Sequence, residues 1–153
     1  MHVTTKITPF LWFDDQAEEA MRFYVSIFDH SKVLSVTPGP NGTTMSVTFE
    51  LEGQQFMALN AGPIFKFTEA ISFFVSCKTQ EEVDDLWTKL STGGSEGRCG
   101  WLKDQFGLSW QIIPTALGDL LGDPDPAAAK RVLDAMLKMK KIDINALQEA
   151  HDR

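Results

Sequence analysis

Three histidines, His2, His30 and His151, are the first residues to weigh for metal binding or general-base work, because imidazole titrates near neutral pH and is the commonest metal-ligating side chain. His2 and His151 lie near the ends of the sequence, and His30 falls in a turn after an amphipathic segment. No His-x-His or Glu-x-x-His spacing brings two ligands onto one face, so all three read as surface residues. Of the two cysteines, Cys77 and Cys99, Cys99 is the better nucleophile candidate, since it precedes Gly100 and Trp101 near a turn. A catalytic thiol needs a neighbouring base or a depressed pKa, and no residue pattern supplies either, so both cysteines read as small packing residues. The basic run Lys130, Arg131, Lys138, Lys140 and Lys141 is interrupted by Met136, Leu137 and Met139. It reads as a solvated helix face beside a packed one, with cations favoured near helix C-termini. No Gly-x-Gly-x-x-Gly, phosphate-loop or Gly-x-Ser-x-Gly pattern is present. No catalytic residue is identified, and no cofactor or metal is expected.

The totals narrow the setting for these residues. A chain of 153 residues, 43% of them hydrophobic, is long enough to bury roughly 68–70% of its unfolded surface in one core. A formal net charge of −7 argues against nucleic acid as a partner, since phosphate neutralisation needs a basic footprint. No run approaches the roughly 20 apolar residues of a membrane span, and the first residues lack a leader pattern. With no disulfide framework indicated, a cytoplasmic protein is expected.

The order of elements follows from periodicity and turn chemistry. Ile7 to Phe13 reads as a buried strand ending at Asp14-Asp15, which suits a helix cap. Ala17, Ala20, Met21, Tyr24 and Phe28 then form one helical stripe. Lys32 to Thr37 reads as a strand, Asn41-Gly42 supplies the positive φ angles of a tight turn, and Thr43 to Leu51 and Gln55 to Asn60 flank the Glu52-Gly53 turn. A second set follows: a strand over 70–77, then a helix opened by the Thr79-x-x-Glu82 capping spacing with a Val83, Leu86, Trp87, Leu90 stripe. Gly93-Gly94 ends it, a strand through Cys99–Leu102 leads into the Asp104–Gly107 turn, and Leu108 to Ile113 closes at Pro114. In the tail, Asp125-Pro126 opens a helix with Val132, Leu133, Met136 and Leu137 on one stripe, and Asp143 caps a short helix through Leu147.

The segments Ile7–Phe13, Ala17–Tyr24, Thr79–Asp84, Cys99–Gln111 and Met139–Asp143 together resemble the PhnB-like family of the vicinal-oxygen-chelate superfamily, the glyoxalase, bleomycin-resistance and dioxygenase group. The match spans nearly the whole chain. The resemblance implies an α+β fold: two βαβββ modules forming a curled mixed sheet around a cavity, plus C-terminal helices, usually in a homodimer. On residue numbers this gives one glyoxalase-like domain over 1–153, with module one at 7–61, module two at 70–113 and a helical tail at 123–153. The family also carries the label 3-demethylubiquinone-9 3-methyltransferase. The sequence shows no Gly-rich strand-to-helix turn of the kind an S-adenosylmethionine-binding Rossmann fold uses.

In the wider superfamily a metal is held by one His, Gln or Glu from each of four strands, and the matching positions here are Pro9, Met57, Ala70 and Gln111. Only Gln111 can ligate, which is too few for a divalent ion. Strand alternation from the same anchors points Leu11, Phe13, Met57, Leu59, Ser72, Phe74, Ser109 and Gln111 at the cavity, with Trp12, Phe73 and Trp110 beneath the helices. An error of one residue swaps the two sets. The expected function is therefore a metal-free homodimer binding an unidentified small organic ligand in an apolar cavity, as bleomycin-resistance relatives do. The alternative is an isomerase, lyase or dioxygenase with a non-standard site. A third reading is a structural dimer whose C-terminal helices dock on the partner chain.

Overall fold

A computed structural model describes residues 6–153, so His2 lies outside the described residues. The backbone forms two compact units, one through Lys66 and the other from Phe67 onward.

The first unit runs β1 (Phe10–Phe13), α1 (Ala17–Ile27), β2 (Lys32–Pro38), β3 (Thr44–Leu51) and β4 (Gln54–Asn60). Its sheet has the order β1-β4-β3-β2, with β1 parallel to β4 and the other pairs antiparallel. The α1 stripe Ala17, Ala20, Met21 and Tyr24 is buried with Val47, Phe49, Phe56 and Ala58 of the sheet. Tyr24, Phe49 and Phe56 form a chain of stacked rings, 6.3 and 5.4 Å between centroids, an arrangement that adds specific geometry to area burial. The acidic pair Asp14-Asp15 does not cap α1: Gln16 occupies that position without a side-chain cap, and the Ala17 N–H donates to Asn60 Oδ1 on β4 at 2.8 Å. A non-local acceptor thus satisfies a helix-start donor that sequence assigns to a local carboxylate. The turns behave as their residues dictate, with positive φ at Asn41, Gly42, Glu52 and Gly53.

The second unit repeats the order: β5 (Phe73–Cys77), α2 (Gln80–Ser91), β6 (Ser95–Glu96), β7 (Trp101–Lys103) and β8 (Ser109–Pro114), then α3 (Thr115–Leu121), α4 (Pro126–Met136) and α5 (Ile144–His151). The sheet order is β5-β8-β7-β6, with β5 parallel to β8. Thr79 caps α2 by accepting from the Glu82 N–H, while Glu82 reaches back to the Lys78 N–H. This is a capping box displaced by one residue on its return arm. Asp104, 3% exposed, organises the β7–β8 turn: Oδ1 accepts from the Phe106 and Leu108 N–H groups at 2.9 and 3.1 Å, and Oδ2 accepts from Trp110 Nε1 at 2.9 Å.

Four local expectations change. Cys99 and Gly100 are not strand: both have positive φ, 58° and 84°, and β7 begins at Trp101. The two-residue β6 is too short to leave a periodic signal. Helix α3 follows Pro114 directly and contains Gly118, two residues that read as helix breakers, yet Pro114 sits at the cap, where its missing N–H costs nothing. Helix α5 continues past Leu147 to His151.

The tail packs on its own unit through Val132 and Met136, while Leu133 and Leu137 of the same stripe stay exposed. Val132, Ile142 and Leu147 form a buried cluster with Ile113 and Leu117, flanked by Met136 and Met139. The connector between α4 and α5 is strapped to the second module by the N–H groups of Cys99 and Gly100, which donate to the carbonyls of Met139 and Lys140, 2.8 Å each. Gln80 of α2 completes the strap: its Nε2 donates to the Ile142 carbonyl and its Oε1 accepts from the Ile144 N–H. Lys141 pairs with Asp84 at 2.8 Å.

At the end of α5, His151 lies between two carboxylates, Nε2 at 2.6 Å from Asp123 and Nδ1 at 2.9 Å from Asp152. Hydrogen bonds to Asp152 and Asp123 raise the His151 pKa, and the same contact lowers that of Asp123. A raised histidine pKa adds stability that is fully present below its unfolded value near 6.5 and is lost as pH rises through the folded value. The depressed Asp123 adds stability that is lost as pH falls through its own folded value. The α5 end is therefore held most firmly between these limits. An NMR titration of His151 is expected to give a pKa above 6.5, falling back in Asp123→Asn; an unshifted titration removes the tie.

Candidate functional site

Each sheet has one face under its helix and one away from it, and register assigns the side chains. In the first unit Leu11 pairs with Ala58 and Phe13 with Asn60, while Phe10 pairs with Met57 and Trp12 with Leu59. Asn60 caps α1, so Leu11 and Phe13, 6% and 5% exposed, stand on the helix-covered face. They do not face outward as the alternation implied. The four-residue β1 carries apolar side chains on both faces, so periodicity within it has no polar mark to fix the phase. Met57 and Leu59 do stand on the open face, together with Trp12, which is not beneath the helix. The Trp12 indole donates to the Gly62 carbonyl at 2.9 Å, and its ring meets Phe65 edge-on.

In the second unit the alternation places residues differently. Cys77, Trp110 and Ile112 are buried on the α2 side, and Phe73 shares that face through its pairing with Trp110. The opposite face carries a cross-strand row in which Gln111 of β8 pairs with Phe74 of β5 and with Trp101 of β7. A polar row lies beside it, with Ser109 opposite Lys103. Ser72 joins this face through its hydroxyl, which accepts from Gln111 Nε2 at 3.0 Å and so fixes the amide orientation. Lys103 is ion-paired with Glu69.

Helices α3 and α4 stand over the far end of this open face and border an open cleft of about 570 Å³. Its floor is Phe74, Ser76, Gln111, Ile113 and Trp101, with Cys99 at one side. Its other wall is Thr115, Leu117, Gly118, Asp119 and Leu121 of α3, with Met136 of α4. Of the eight residues expected at a pocket, Phe74 and Gln111 line this cavity, Ser72 and Ser109 adjoin it on the same face, and Met57 and Leu59 belong to the other unit. The floor residues Ser76 and Ile113 follow by stepping two residues along the same strands, so alternation could have found them. The α3 wall had no readable signal.

The thiols divide by place. Cys77 is fully buried and its pKa is pushed up to about 12 by burial, reinforced by Glu82, which leaves no thiolate at neutral pH. Cys99 opens onto the cavity. Ser109 is 1% exposed and its hydroxyl has no hydrogen-bond partner among the described residues. An unpaired buried hydroxyl costs about 1–3 kcal/mol, so Ser109→Ala is expected to leave stability unchanged or raise it by about 1 kcal/mol in urea unfolding. A loss above that size would show that the hydroxyl is paired in solution.

The donor set does not fit a divalent ion. Pro9 and Ala70 have no side-chain donor, Met57 offers a soft thioether, and the Gln111 amide already donates to Ser72. Among the described residues no three His, Cys, Asp or Glu side chains gather where they could hold a metal. S-adenosylmethionine fits no better. The turns entering α1 and α2, 14–16 and 78–79, contain no glycine to admit a close phosphate or ribose approach. The cavity presents one carboxylate where a ribose diol and an amino-acid end need several polar partners.

Residues 5–113 match a family described as 3-demethylubiquinone-9 3-methyltransferase. A Bacillus cereus structure described as a 3-demethylubiquinone-9 3-methyltransferase, PhnB protein, is 38% identical, with TM-score 0.68, and the alignment covers 72% of this chain and 99% of that one. A glyoxylase/bleomycin resistance protein/dioxygenase domain from Frankia is 16% identical, covering 73% and 92%, with TM-score 0.53. The fosfomycin resistance protein FosX of Listeria monocytogenes, solved with Mn(II) and sulfate, is 12% identical, covering 71% and 90%, with TM-score 0.53. The last two show the fold alone. No curated protein matches the chain. Among the described residues no helix is long and apolar enough to cross a membrane. With a glyoxalase-like fold, a family match over 5–113 and a 38% identical PhnB relative, the chain belongs to the PhnB, or 3-demethylubiquinone-9 3-methyltransferase, family.

Proposed function

We propose that this protein binds a small organic molecule in the cavity between the open face of the second sheet and α3, without a metal ion and without methyl transfer. The observation that carries this reading is the concave cleft of about 570 Å³ floored by the Phe74–Gln111–Trp101 row. Ligand sites are concave, mostly apolar spaces of roughly 300–1,000 Å³ with a few placed polar groups. Here apolar walls surround an amide whose orientation is held by Ser72. Assembly as a homodimer belongs to the same reading, supported by the family resemblance and by exposed Phe10, Ile64 and Phe65. A cytoplasmic setting is supported by the two free thiols.

Gly118 provides the test. It lines the cavity, and a Cβ built there meets nothing within 4 Å, so a larger side chain can grow into the space without displacing the fold. Gly118→Leu removes a glycine from a helix interior, a gain of about 0.8–1 kcal/mol, while filling the site. Titration with the neutral apolar dye Nile red is expected to show binding by the parent and at least tenfold weaker binding by a Gly118→Leu variant of equal or higher Tm. Equal binding by the two proteins would place the dye elsewhere and sink the reading.

A further inference from the structure

We infer that the ligand of this cavity is a monocation with an apolar body, such as a protonated amine or a quaternary ammonium, and not a carboxylate or phosphate. The inference rests on the proposed cavity and adds the charge of its occupant. Among the lining residues Asp119 is the one that bears a formal charge, and no lysine or arginine joins it.

Asp119 also differs from the acidic residues that have evident structural work. Glu18 pairs with Arg22, Asp84 with Lys141 and Asp134 with Lys130. Asp119 has no hydrogen-bond or ion-pair partner among the described residues. It stands in the last turn of α3, one turn after Thr115, where a carboxylate opposes the helix dipole. Helix stability therefore does not account for it.

The rest of the wall has the same preference. Phe74 and Trp101 are among the lining residues, and an aromatic face attracts a cation through its quadrupole and repels an anion. The hydroxyls of Ser76 and Thr115 can accept hydrogen bonds from an ammonium. At longer range the net charge of −7 draws cations toward the protein and disfavours anions. Asp119 is exposed at the rim, so its attraction is screened by salt. The aromatic contribution of half-buried Trp101 is screened less.

The test displaces Nile red from the full chain with three phenyl compounds of similar size. These are benzyltrimethylammonium, its neutral isostere neopentylbenzene, and phenylacetate. The expected order is cation, neutral, anion, with the cation at least tenfold tighter than the anion and weakened by added salt. Asp119→Asn is expected to weaken the cation about tenfold, leave neopentylbenzene unchanged and keep or slightly raise Tm, which a purely structural aspartate would not do. An anion bound as tightly as the cation, or a cation affinity insensitive to Asp119→Asn, overturns the charge assignment while a bound neutral probe leaves the cavity reading in place. Failure of Nile red and all three compounds to bind overturns both.

Discussion

Asp104→Ala is expected to destabilise the second unit by about 3–5 kcal/mol, enough to move its urea midpoint by more than 1 M. The carboxylate is 3% exposed and accepts from the Phe106 and Leu108 N–H groups and from the Trp110 indole. Truncation strands the Leu108 and Trp110 donors where water cannot replace the acceptor and frees the part-buried Phe106 N–H, and each buried unsatisfied donor costs about 1–3 kcal/mol. The loss also spreads, because the turn sets the antiparallel register of β7 on β8 and hence the position of Trp101 beside Gln111. Asp104→Asn keeps one oxygen acceptor and is expected to cost less, about 1–2 kcal/mol. Urea unfolding followed by tryptophan fluorescence checks both, and a cost below 1 kcal/mol for the alanine variant would falsify this account of the turn.

Gly94→Ala is the second large effect, and its cause is steric. A Cβ on Gly94 overlaps the Lys103 carbonyl oxygen and comes within 2.7 Å of the Asp104 carbonyl carbon, both of them backbone atoms that cannot rotate away. The two-residue β6 must then leave β7, and the Trp87 indole loses the anchored Glu96 carboxylate that accepts its N–H at 2.9 Å. The expected cost is about 2–4 kcal/mol, in the range of overpacking plus a lost charge-assisted hydrogen bond. Hydrogen exchange is expected to accelerate at 95–103 before the rest of the sheet. Uniform protection would mean that β6 adapts without separating. Gly118→Ala serves as the control, since the same added methyl meets open space there.

These two residues mark where sequence reasoning worked and where it stopped. The first βαβββ unit was legible because α1 carries an unbroken stripe at helical spacing, and because Asn41-Gly42 and Glu52-Gly53 have residue types that demand positive φ; the second was legible through its α2 stripe except for the short β6. The Asp104–Gly107 turn was legible as a turn. The buried carboxylate network behind it was not, since its indole partner is defined by folding. The phase of β1 was lost because Phe10, Leu11, Trp12 and Phe13 offer apolar side chains to both faces, whereas Phe74 and Gln111 stand on the face away from α2 because β5 and β8 mix polar and apolar positions. Half of the cavity wall escaped notice because α3 is preceded by Pro114 at its cap and contains Gly118. Those residues are punctuation in a linear reading and pose no difficulty where one stands at a cap and the other beside an empty space.

The strap between Cys99–Gly100 and Met139–Lys140, secured by Gln80 on Ile142 and Ile144, has a consequence in time. The first sheet needs nothing beyond Ala61 to complete its hydrogen bonding, whereas the strap cannot close until residue 144 has been synthesised. At roughly 5–20 residues per second on the ribosome, the intervening stretch takes roughly 4–17 s to make. During that interval the nascent chain carries a finished first unit and a second sheet whose Ile113 lacks its Leu117 and Val132 cover.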